Sequence, residues 1–110
     1  MNKQLSDLCD LATEAHTQIQ QNFKEIDPVV GVSHNMRENG VPADVMTIDC
    51  LKSGKRIIIV LHDQAPDSIS YQFSYKEKDP GSVFEQVLLS ELTVKQMYDW
   101  MSSYFSSAKN

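Results

Sequence analysis

Five consecutive positions, Ile57-Ile58-Ile59-Val60-Leu61, carry aliphatic side chains with no polar interruption. Branching at Cβ favours extended backbone, and a strand apolar on both faces needs cover on both. The run therefore reads as the central strand of a sheet, with Ile58 and Val60 shielded by neighbouring side chains or by a second subunit. It is far shorter than the ~20 residues of a membrane span and the ~7–15 of a signal-peptide core. The chain is accordingly expected to be cytoplasmic.

The segments beside this run alternate with a period of two. Val45 to Leu51 and Arg56 to His62 flank Lys52-Ser53-Gly54-Lys55, which predicts a hairpin. A two-residue Ser53-Gly54 loop sets Cys50 opposite Ile57, Ile48 opposite Ile59 and Met46 opposite Leu61, placing six apolar side chains on one face. A longer loop with a Gly54 bulge would set Cys50 opposite Arg56; burial favours the first register. Ile69, Tyr71, Phe73 and Tyr75 alternate with Ser70, Gln72 and Ser74, so this strand keeps one face wet and the sheet is antiparallel, covered mainly on one side. Val29 to Ser33 reads as a short edge strand and Asn39-Gly40 as a tight turn. For Val83 to Leu92 we expect a strand closing a hairpin across Asp79-Pro80-Gly81, with Val83, Val87 and Leu89 facing one way. Ser82 with Glu85 also resembles a capping box for a short helix.

At both ends the period lengthens to three and four. Leu8, Cys9, Ala12, Ala15, Ile19, Phe23 and Ile26 form an apolar stripe, which predicts a helix from about Lys3 to Glu25, stopped by Asp27-Pro28. Near the C-terminus, Thr93 and Gln96 form a capping box and Leu92 can fold over Met97, so a second helix begins at Thr93. The expected fold is α+β: an antiparallel sheet of three to five strands with the N-terminal and C-terminal helices packed on one face as a two-layer sandwich. The length of 110 residues fits one domain, 1–110. Residues 106–110 are expected to form a loose tail, and the polar stretch Ser33 to Ala43 is the other segment expected to be loose.

Lys plus Arg number 10 against 15 Asp plus Glu, a formal net charge of −5. That balance disfavours phosphate backbones and anionic lipid, so neither a nucleic acid nor a membrane is expected as a partner. Cys9 and Cys50 both fall on apolar stripes and read as reduced thiols behaving as small hydrophobes.

A search for chemistry begins with the histidines. His16 has no ligand partner four residues away, and metal-binding spacing is absent around it. His62-Asp63 ends the aliphatic strand and resembles the dyad of the HD metal-dependent phosphohydrolases. That family sets its dyad on a helix among further metal ligands, whereas here a strand ends on it and no matching second histidine follows. The four glycines Gly31, Gly40, Gly54 and Gly81 are isolated, so no phosphate-cradling loop, nucleophile elbow or dinucleotide fingerprint exists. No metal or cofactor is expected.

Met97, Tyr98, Trp100, Met101, Tyr104 and Phe105 crowd the last helix. With Met97, Met101 and Tyr104 as its central line, Trp100 falls on one margin and Tyr98 and Phe105 on the other. Met beside Trp and Tyr is a composition enriched in interfaces, which nominates Trp100, Met101 and Tyr104 as partner contacts against the competing reading that they pack in the core. In size, charge and fold class the chain resembles secretion chaperones and toxin-immunity proteins, bulk likenesses that do not specify function. The leading expectation is a non-enzymatic protein-binding, adaptor, chaperone-like or regulatory domain that contacts another protein or a second copy of itself. The alternative is a small hydrolase-like enzyme using His62 with Asp63, Asp67 or Asp49.

Overall fold

The computed structural model describes residues 3–23, 26, 28–65, 67–75 and 83–106. Elements follow in the order α1 (Lys3–Asn22), β1 (Pro28–Ser33), α2 (Asn35–Glu38), β2 (Ala43–Cys50), β3 (Lys55–His62), β4 (Ser68–Tyr75), β5 (Glu85–Leu88), a 3₁₀ turn (Leu89–Glu91) and α3 (Val94–Ser106). The strands form one antiparallel meander in the order β1-β2-β3-β4-β5, with β3 central as its two apolar faces require. Both long helices pack on one face, giving the expected α+β architecture.

The core between the layers comes from Leu5, Leu8, Ala12, Ala15 and Ile19 of α1, Met97, Trp100, Met101 and Phe105 of α3, and the inward residues Met46, Ile48, Ile57, Ile59 and Ile69 of the sheet. The last α1 residue is Asn22, short of the expected Glu25; Phe23 still donates to the Ile19 carbonyl at 2.8 Å. The expected stop at Asp27, the turn Asp79-Pro80-Gly81, the capping residue Ser82 and tail residues 107–110 lie outside the described residues. At α3 the Thr93 hydroxyl accepts the Gln96 amide at 3.1 Å, and Leu92 is buried.

The β2–β3 hairpin corrects the expected register. Ile48 pairs with Ile57, Met46 with Ile59 and Cys50 with Lys55, so a four-residue turn, Leu51 to Gly54, replaces the two-residue loop. Gly54 sits at φ 75° and donates to the Cys50 carbonyl at 2.9 Å. A two-residue slide keeps every side chain on its expected face because the strand period is two. Its consequence is electrostatic: Asp49 comes to face Arg56, where the expected register would have set it against Ile58. Burial alone could not distinguish these registers, and the ion pair favours the observed one.

Two further expectations change. The polar stretch Ser33 to Ala43 is a structured segment in which α2 and the Asn39-Gly40 turn, with Gly40 at φ 90°, fold back over the start of β2. The region from Val83 divides into a short strand and a 3₁₀ turn. Val87 pairs with Ile69 and packs against the core, as does Leu89 from the turn, but Val83 precedes β5 and is 76% exposed.

Candidate functional site

The sheet face opposite α1 and α3 bears a cavity of apolar character. Val45 of β2 with Ile58 and Val60 of β3 forms its floor, Met36 of α2 and Phe84 ahead of β5 contribute further apolar lining, and its volume is about 450 Å³. Thr47, Arg56, His62 and Ser70 supply the polar lining. Strand alternation explains the arrangement: Arg56, Ile58, Val60 and His62 are every second residue of β3, so they share one face and span about 20 Å from end to end. Ile58 is 7% exposed although neither α1 nor α3 covers this side.

Arg56 donates from Nε to Asp49 Oδ1 at 2.6 Å and from Nη2 to Asp49 Oδ2 at 3.0 Å. This bidentate pair raises the guanidinium pKa and leaves Nη1 outside the contact. At the other end of β3, His62 is exposed; its carbonyl accepts the Ala65 amide at 3.1 Å, and its ring forms no hydrogen bond with any described residue.

The α2 segment is held by a charge cluster at the same end of the sheet. Asp44, only 3% exposed, accepts His34 Nδ1 at 2.7 Å, Arg37 Nε at 3.1 Å and Arg37 Nη2 at 2.9 Å. Arg37 also donates to both oxygens of Asp63, at 2.8 and 2.9 Å. Hydrogen bonds from Arg37 lead the effects that hold the Asp44 carboxyl down at about 2, against the opposing penalty of burial. The same guanidinium lowers Asp63. One arginine thus ties the helical turn bearing Met36 to the start of β2 and the end of β3.

The histidine and carboxylates nominated for hydrolysis are not brought together. Asp63 is engaged with Arg37 and Asp49 with Arg56, while Asp67 lies in the β3–β4 loop and lines a different cavity. No hydrogen bond links His62 to any of the three. The histidine that does meet a carboxylate is His34, with Asp44. Among the described residues no group of three or more His, Cys, Asp or Glu side chains is disposed to hold a metal ion.

The nominated partner residues are largely committed within the chain. Trp100 is 8% exposed, stacked on Tyr71 with ring centroids 4.4 Å apart, and Met101 is fully buried. Tyr104 is half-buried, stacks on Phe73 at 4.9 Å and donates to the Ser74 carbonyl at 2.6 Å. Trp100 thus lies inside the expected central line and Tyr104 at its margin. The reason is β4, which turns Tyr71 and Phe73 toward α3, so the aromatics of helix and strand cover one another.

A second cavity, about 790 Å³, lies between α1 and the 3₁₀ turn, with Asp7, Asp10, Glu14 and Asp67 around Leu11, Leu89 and Val94. The residues missed in sequence were Met36 and Phe84, which line the open face, and Arg37 and Asp44, with Asp44 on the same side of β2 as Met46 and Ile48. Asp44 alone left a signal, an acid at the mouth of an apolar strand that burial would oblige to find a cation. Among the described residues no helix is long and apolar enough to cross a membrane. No protein-family model, curated protein or solved structure matches the chain.

Proposed function

We propose that this chain is a non-enzymatic protein-binding domain whose docking surface is the uncovered face of the sheet. The observation supporting this reading is the apolar floor Val45–Ile58–Val60, set between Met36 and Phe84 on the side away from α1 and α3. An apolar cavity of some hundreds of Å³ with a few polar groups at its rim has the form of a recognition site. The occupant that fits is an extended segment of another protein, apolar in its middle and acidic at both ends. Arg56 Nη1 and the His62 ring supply donors at opposite ends of β3, on a face whose aspartates are already engaged by arginine. Among the described residues no carboxylate is hydrogen-bonded to the His62 ring, which weighs against hydrolysis as the role of the same surface.

The test is an NMR titration of the ¹⁵N-labelled protein with two synthetic decapeptides. One has a Leu-Val-Phe centre with aspartates at both ends, and the other is a Ser/Gln control. Shifts confined to β2, β3 and α2 for the first peptide, lost in Val60→Asp, are the expected result. Shifts centred on the α1 cavity, or none with the apolar peptide, would refute it. Turnover of a chromogenic ester or phosphate that disappears in His62→Ala would instead establish the hydrolase.

A further inference from the structure

The two edges of the sheet differ in how they are protected. Edge strands expose unpaired backbone donors and acceptors, and proteins guard them with charge, bulges or brevity. On one side β5 has four residues, begins with Glu85 and runs directly into a 3₁₀ turn. On the other side β1 has six, Pro28-Val29-Val30-Gly31-Val32-Ser33, paired one-to-one with β2 without a bulge and without a charged side chain. Among the described residues, Pro28 at its first position is its only guard. Val29, opposite Asp49 on the open face, is 46% exposed; Val32, opposite Met46 on the helix face, is 39% exposed.

The helix above this edge is uncharged on the same side. His16 Nε2 donates to the Pro28 carbonyl at 2.7 Å, which orients α1 over β1. Cys9, Thr13, His16 and Gln20 recur at spacings of four, three and four, so they form one stripe along this flank. The α1 acids Asp7, Asp10 and Glu14 instead line the cavity shared with Leu89 and Val94, near β5. A chain with a net charge of −5 therefore turns the acids of α1 away from its unguarded strand.

We propose that β1 pairs antiparallel with β1 of a second copy of this chain, joining two sheets into one across a two-fold axis normal to the sheet. The occupant follows from these features. An isologous contact sets a patch against itself, which a charged strand would resist and an uncharged one permits. Antiparallel pairing about such an axis keeps the faces aligned, so the two α1 helices lie on the same side with their uncharged stripes adjacent. Val29 and Val32 then gain neighbours on both faces of the seam. This inference is independent of the peptide-binding reading, because the cavity on β2 and β3 is a separate surface.

Sedimentation velocity and light scattering over a range of protein concentrations test it, using wild type, Gly31→Lys, Val32→Lys and Glu85→Lys. A Cβ at Gly31 would meet only Thr47 Oγ1 at 3.6 Å, an ordinary contact, so lysine there should leave the monomer folded. The expected result is a wild-type dimer whose dissociation constant rises at least about tenfold in Gly31→Lys and Val32→Lys, with unchanged circular dichroism, and stays put in Glu85→Lys. A wild type that is monomeric at every concentration overturns the proposal. So does a dimer that both β1 lysines leave intact, or one that Val60→Asp dissociates while Gly31→Lys does not.

Discussion

Arg37 grips Asp44 through two parallel bonds, Nε to Oδ1 at 3.1 Å and Nη2 to Oδ2 at 2.9 Å, and Asp44 is the most buried carboxylate among the described residues. The Asp44 carboxyl is held at about 2 in the folded chain against an ordinary value of 3.8. A carboxylate with a depressed folded-state pKa stabilises the fold fully above its unfolded pKa and loses that contribution as pH falls through the folded one. Urea midpoints should therefore drop between about pH 4 and pH 2, with Asp63 contributing in the same direction. Asp44→Asn should have a lower midpoint at neutral pH and a shallower acid limb, and an unchanged limb would remove Asp44 as its source.

Trp100→Ala separates core from partner contact on α3. The ring is 8% exposed, stacked on Tyr71 and edge-on to Phe73 with centroids 6.0 Å apart. Removing so large a buried side chain typically costs ~3–5 kcal/mol. We expect a loss of that order in chemical denaturation of the monomer. A variant of wild-type stability would return α3 to the role of partner surface.

Asp49 and Arg56 should couple measurably. Their side chains are 12% and 27% exposed, and they face each other across β2 and β3. Opposite charges at directly paired cross-strand positions contribute ~0.2–1 kcal/mol, with partial burial placing this pair toward the upper end. A double-mutant cycle with Asp49→Ala and Arg56→Ala should give a favourable coupling in that range. A coupling of zero would mean that the ion pair does not set the register of the hairpin and that the turn Leu51 to Gly54 does.

That pair also marks where sequence reasoning ran out. Side-chain alternation placed Met46, Ile48, Ile57 and Ile59 on the core face, and the end stripes placed both helices, because hydrophobic periodicity is local information. The slide of two residues in the hairpin left every face unchanged, so periodicity carried no signal about it. Phe84 and Met36 approach the open face from segments distant in sequence, and neither lies on a periodic stripe that would announce it. Trp100 was visible as an aromatic on α3, but its burial depends on Tyr71 and Phe73, about thirty residues earlier. A contact across elements of that separation is settled by packing and leaves no spacing to read.

The two thiols provide the last prediction. Cys50 is 2% exposed at the end of β2, and Cys9 is half-buried on the flank of α1; both are free. Burial, with a smaller effect from neighbouring Asp10, raises the Cys9 pKa above its ordinary value of 9.0. The thiolate is the reactive form, so Cys9 should alkylate slowly at neutral pH and faster as pH rises beyond that value. Cys50 must await opening of β2, which pairs with both β1 and β3 and should open with the whole domain. Iodoacetamide labelling followed by mass spectrometry should give first a single adduct on Cys9, then a second on Cys50 whose rate tracks urea concentration. Prior labelling of Cys50 in native buffer would mean that the β2–β3 hairpin opens on its own, and that the centre of the sheet is less cooperative than its packing implies.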